Sequence, residues 1–148
     1  MTRKSKKPPG RRRQARELAL QILYAIEMTG YDLDQTIEGY LILDPPGKSL
    51  LHSYASRLLE ITLENMEQLD RSLTEVITNW KLDRLSCIDR NLLRLAAAEI
   101  YFHEDIPPKV TINEYIEIAK EFGDNDSPSF VNGILDRLVR ESEKAGEI

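Results

Sequence analysis

The sequence predicts an all-α protein, on three observations. Apolar residues recur at three- and four-residue steps along most of the chain. Glycine and proline clusters interrupt them at helix-length intervals, and no alternating strand pattern competes anywhere. The 148 residues, 41% hydrophobic and 30% charged, suit one globular unit that needs no disulfide or metal staple. A lone cysteine, Cys87, cannot form an internal disulfide and reads as a small core hydrophobe in a reducing compartment. No apolar run approaches the roughly 20 residues that span a bilayer. Nor does an apolar segment precede position 18 to make a secretory signal. The expectation is a soluble cytoplasmic protein.

The first helix runs from Arg11 through Ala15, Leu18, Ala19, Ile22, Ala25 and Ile26, and stops at Thr29-Gly30. Arg13, Leu20 and Tyr24 line up on another side, because seven and eleven residues lie close to whole turns. Asp32 or Asp34 caps a second helix through Ile37, Tyr40 and Leu41, which Asp44-Pro45-Pro46-Gly47 ends. Residues 49–80 are helical in one or two pieces. Leu51, Tyr54, Ala55, Leu58 and Ile61 make one stripe, and Leu59, Leu63, Met66, Leu73, Ile77 and Trp80 make the next.

Residues 92–102 are apolar almost all round, which marks a central helix wrapped by others, with Arg90, Arg94 and Glu99 as its polar exceptions. After Ile106-Pro107-Pro108, Thr111 and Glu114 form a capping box for a helix ending at Gly123. Ser127 caps the last helix with Pro128 at its first position. Gly133 inside that helix costs roughly 1 kcal/mol against alanine, so it marks a close helix contact.

Charge is distributed unevenly. Residues 1–16 carry eight Lys and Arg and no acid, so +8; the rest therefore carry −13 of the total of −5. A basic arm on an acidic body points to a polyanion, nucleic acid first. Residues 3–7, ahead of Pro8-Pro9-Gly10, read as a flexible tail, whereas Arg11, Arg12, Arg13 and Arg16 run into a helix. Tyr24 either stacks on a base or packs in the core, and spacing alone favours the core.

No catalytic constellation is found. His52 and His103 have no metal-ligand spacing, and Gly47-Lys48-Ser49 lacks the earlier glycine and the strand of a phosphate loop. Asp124 and Asp126 belong to a solvated capping loop rather than to acid–base chemistry. The expectation is a protein without catalysis, cofactor or metal.

Three blocks in series resemble the NusB family of bacterial transcription antitermination factors. They are Arg11 to Tyr24 (RRRQARELALQILY), Leu85 to Ala96 (LSCIDRNLLRLA), and Val110 to Asp136, with VTINE, IEIAK, FG, Ser127 and FVNGILD. The resemblance covers about residues 10–140, leaving 1–9 and 30–50 without family signal. It implies two packed helical bundles of about three and four helices, here about 11–80 and 81–142, in one domain of residues 10–148. It implies no catalysis. The implied partners are the single-stranded boxA element of ribosomal-RNA leader transcripts, the ribosomal protein that serves as NusE, and the RNA polymerase elongation complex with other Nus factors. A monomer is compatible with it, and so is a homodimer that hides the RNA face.

By position the resemblance assigns Arg11, Arg12, Arg13, Arg16, Tyr24, Asp126 and Phe130 to RNA, and Asp89 and Arg90 to NusE. It moves Tyr24 to the surface. Phe130 becomes a stacking platform or a core anchor, and Asp89 and Arg90 face NusE or form an exposed charge pair. The competing expectation is a helical protein–protein adaptor with a merely solubilising arm. A NusB-like domain appended to a ribosomal-RNA cytosine methyltransferase fails on length and on the missing methyl-donor motif.

Overall fold

The computed structural model describes residues 10–43 and 49–148, with only the backbone of 40–43 and 49–52. The basic residues of the 3–7 tail, the Asp44-Pro45-Pro46-Gly47 stop and most of the Gly47-Lys48-Ser49 triplet lie outside this range, as do the side chains of Tyr40, Leu41, Leu51 and His52. Seven α-helices are described: α1 (Arg11–Thr29), α2 (Leu33–Leu43), α3 (Ser49–Glu64), α4 (Met66–Val76), α5 (Cys87–Phe102), α6 (Pro108–Phe122) and α7 (Ser127–Lys144). A 3-10 turn at Leu82–Arg84 precedes α5, and no strand occurs among the described residues.

Local chemistry explains the helix ends. Gly30 closes α1 in the left-handed region at φ 74°, which glycine enters without steric penalty, and its N–H bonds the Ile26 carbonyl. Asp32 and Gln35 open α2 as a reciprocal capping box: the Gln35 N–H donates to Asp32 Oδ1 at 2.8 Å, and the Asp32 N–H to Gln35 Oε1 at 3.2 Å. The 49–80 segment does divide, at Asn65.

Helix α5 is central, as its all-round apolarity predicts. Ten of its residues are buried, among them Leu92, Leu93, Leu95, Ala96 and Ala97. It packs against α1, α3, α4, α6 and α7. Among the other helices, α1 packs chiefly on α3, α6 chiefly on α7, and α4 on α5 and α7.

Three local expectations are corrected. Trp80 is 60% exposed, because α4 ends at Val76 and the chain turns outward before the stripe reaches it. Thr111 does not cap α6, which begins three residues earlier at Pro108; its hydroxyl instead donates to Glu99 inside the core. Gly133 faces open space, since an added Cβ would meet nothing within 4 Å. The close approach is at Gly123, where a Cβ would lie 2.5 Å from the Ser127 side chain and 2.9 Å from the Ala119 carbonyl oxygen.

Candidate nucleic-acid interface

The four arginines that open α1 divide into two pairs with different environments. Arg11 and Arg12 are exposed, whereas Arg16 is only 2% exposed. A helix repeats every 3.6 residues, so positions 11, 12, 13 and 16, which span more than one turn, cannot all face solvent once one side of α1 is packed on α3 and α5.

Arg16 forms a buried ion pair with Glu99 of α5, its Nε donating to both carboxylate oxygens at 3.0 and 2.9 Å. The Tyr115 hydroxyl donates to the same carboxylate at 2.9 Å and Thr111 at 3.3 Å, so the buried charge has a full hydrogen-bond shell. Burial pushes the Arg16 guanidinium down, but the bond and charge of Glu99 outweigh it and hold the pKa above its ordinary value. The same environment drives Tyr115 well above the usual phenol range, by burial first and then by the Glu99 charge. Arg16 therefore cannot reach RNA. It is corrected from an RNA contact to the pin between α1 and α5.

Arg13 is part-buried, and its Nε donates to Glu114 of α6 at 2.7 Å, with Nη2 on the same oxygen. It too is largely committed within the protein. Of the arginine cluster, Arg11 and Arg12 remain available. Arg12 sits 5.4 Å from the centre of the Tyr54 ring and, among the described residues, makes a long, exposed contact of 3.9 Å with Asp105.

The location of these two side chains reinforces their charge. They occupy the first turn of a helix with no acid in it, where backbone N–H groups lack helical partners and the dipole is positive. That end of α1 draws anions through fixed dipoles as well as through two guanidinium groups.

The other predicted residues gather toward the opposite end of α1. Tyr24 is 42% exposed and lines a notch shared with Ile88 of α5 and Phe122 of α6, so the surface assignment agrees with its exposure. Phe130 is half-buried against the core, partway between platform and anchor. Asp126 is exposed at the start of α7. Its N–H donates to Asp124 Oδ1 at 2.9 Å, and the Ser127 N–H does so at 3.1 Å, so Asp124 caps this helix in place of the expected Ser127.

Asp89 and Arg90 are not an exposed pair. Asp89 is 9% exposed and accepts a hydrogen bond from the Ser127 hydroxyl at 2.6 Å, tying α5 to α7. The Arg90 guanidinium donates to Glu27 at 2.9 Å and to the Leu85 carbonyl at 3.1 Å. Both side chains engage contacts within the chain, and Arg90 remains partly exposed. Cys87 is half-buried rather than core; burial and then its hydrogen bond to Glu27 push its thiol up to about 11.

Glu99 and Glu114 are the functional anchors that sequence reasoning missed. Glu99 was legible, because a carboxylate on an otherwise apolar central helix requires a buried cation. Glu114 was masked by its agreement with a capping-box spacing.

Among the described residues, no cluster of His, Cys, Asp or Glu is arranged to hold a metal ion, and no helix is long and apolar enough to cross a membrane. Residues 13–140 match the family model described as "NusB family". A transcription antitermination protein NusB of Desulfitobacterium hafniense is 46% identical over 140 residues, covering 92% of this chain and 93% of its own. The solved NusB of T. maritima superposes with a TM-score of 0.81 at 40% identity, over 93% of this chain and 94% of that one. A structure of antitermination factors NusB and NusE in complex with dsRNA gives a TM-score of 0.80 at 24% identity, over 88% and 97%, and supports the fold.

Proposed function

This chain belongs to the NusB family, and on that premise we propose that it is a non-enzymatic, RNA-binding transcription antitermination factor. It binds a boxA-type single-stranded element of ribosomal-RNA leader transcripts together with NusE. The assembled module then joins the elongating RNA polymerase and suppresses termination. The observation that carries the RNA reading is the exposure of Arg11 and Arg12 on the positive end of α1 while Arg13 and Arg16 are held by acids.

The physics favours a two-component grip. Cations hold the phosphate backbone, and aromatic faces take unstacked bases. Tyr24 and the outer face of Phe130 supply aromatic surface away from the cationic end. Residues 17–148 carry −13, which repels RNA at long range, so two exposed arginines and the basic tail set where it lands. A basic partner such as NusE would offset that repulsion and extend the footprint.

The test is fluorescence anisotropy of a labelled boxA-type RNA, with and without NusE, against a scrambled RNA. Preferential binding that tightens with NusE is expected. Equal binding of the two RNAs, or none even with NusE, would remove the RNA function and leave the adaptor reading.

A further inference from the structure

We propose that Tyr54 is the positioning residue for the RNA grip of Arg12: its ring seats the face of the exposed guanidinium and leaves the edge free for a phosphate. This rests on the RNA reading above and deepens it, by naming the side chain that orders the available cation.

Three helices meet at this ring. Tyr54 lies on α3, half-buried against the core, and α3 packs along α1. Its ring centre is 5.4 Å from the Arg12 guanidinium carbon and 5.9 Å from that of Arg16. Residues 12 and 16 stand about one turn apart on the same face of α1, so one ring reaches both. Arg16 is itself fixed by Glu99 of α5. His103, which ends α5, also packs on Tyr54, with ring centres 5.6 Å apart and planes tilted by 40°. The Tyr54 hydroxyl is buried without a hydrogen-bond partner among the described residues, so what this tyrosine offers is its face. Among the described residues, Arg11 has no such ring beneath it.

A guanidinium is planar: its face stacks on a ring, while its N–H donors lie in the plane. The two contacts therefore do not compete, and Arg12 keeps its edge for a phosphate while it rests on Tyr54. A free arginine side chain loses rotamer freedom when it binds, and one already seated on a ring loses less. The contact with Asp105, long and exposed, is screened by water and does not hold the guanidinium against a phosphate. A chain of contacts thus runs from the buried Arg16–Glu99 pair through Tyr54 to the surface cation.

The experiment combines NMR of the full chain with salt titrations of boxA-type and scrambled RNA. In the free wild type, the Arg12 side-chain protons are expected to show ring-current shifts that those of Arg11 lack. Tyr54→Leu is expected to weaken both RNAs by about 2- to 5-fold, the size of an exposed cation–π contact. It should keep the wild-type slope of affinity against salt, because the phosphate contact itself remains. Tyr54→Phe keeps the ring and the affinity. Adding Tyr54→Leu to Arg12→Ala should cost nothing further. A Tyr54→Leu loss that persists in the Arg12→Ala background overturns the proposal, since the ring then acts through the fold or on RNA directly. So does a loss confined to boxA, because a phosphate grip carries no sequence information. Arg12 protons indistinguishable from those of Arg11 overturn it too. If Tyr54→Leu melts early, Arg12→Lys at the exposed position decides: lysine keeps the charge without the planar face, and wild-type affinity for it overturns the proposal. Wild type that fails to distinguish boxA from scrambled RNA overturns the RNA reading itself, which a failed Arg12 cycle with intact boxA preference does not.

Discussion

Arg16 and Glu99, separated by 83 residues in sequence, form a buried ion pair whose carboxylate also receives the Tyr115 and Thr111 hydroxyls. The pair joins the arginine-bearing helix to the central helix. Removing one partner leaves an uncompensated charge in the core, which costs about 3–5 kcal/mol. Arg16→Met and Glu99→Gln are each expected to lower the urea midpoint sharply, whereas the double variant Arg16→Met with Glu99→Met recovers much of the loss. Single and double variants of equal stability to wild type would contradict the pairing.

Arg12 and Arg13 are neighbours with different expected phenotypes. Arg12→Ala should leave the melting temperature unchanged and lower RNA affinity, with the slope of log affinity against log salt reduced by about 0.7, one single-strand phosphate contact. Arg13→Ala leaves the part-exposed Glu114 with only its longer contact to Arg16, at 3.8 Å, so it should lower stability by about 1 kcal/mol as well. Thermal melts beside salt titrations measure both. Identical behaviour of the two variants would show that the Glu114 pair does not set them apart.

The two glycines of the third family-like block should respond oppositely to alanine. At Gly123 a Cβ meets Ser127 and the Ala119 carbonyl oxygen at 2.5 and 2.9 Å, so Gly123→Ala is expected to destabilise by about 1–3 kcal/mol. At Gly133 the space is open within a helix, so Gly133→Ala is expected to stabilise by up to about 1 kcal/mol. Denaturant titrations of both decide it. A Gly133→Ala variant that is stable but loses NusE binding would show that the close contact at Gly133 is made by a partner.

Cys87 should be a poor nucleophile. Its thiol is raised from 9.0 to about 11 by burial and by the Glu27 carboxylate, so at pH 8 it carries about 100-fold less thiolate than an ordinary cysteine. Alkylation by iodoacetamide is expected to be slow at pH 8 and to accelerate as pH approaches 11. Glu27→Gln should speed it. Rapid labelling of the folded protein at pH 8 would show that the thiol is neither shielded nor paired.

The helices, their order and the central place of α5 were legible because they follow from local rules. A 3.6-residue apolar period, a glycine at Gly30 and an all-round apolar run each act over a few residues. The three family-like blocks were equally legible, being contiguous strings. Which arginines remain outside was not, and only the packed structure decided it. Arg11 to Arg16 look alike in sequence, yet the crossing of α1 over α5 and α6 brings Glu99 to Arg16 and Glu114 to Arg13. The carboxylates that claim them lie 83 and 101 residues away. Trp80 follows the same logic in reverse, since a helix that ends at Val76 leaves its stripe unfinished and the indole outside. Periodicity determines which face of a helix seeks burial. A buried charge is settled only by the partner that tertiary packing delivers, because a guanidinium can leave water only where a carboxylate meets it.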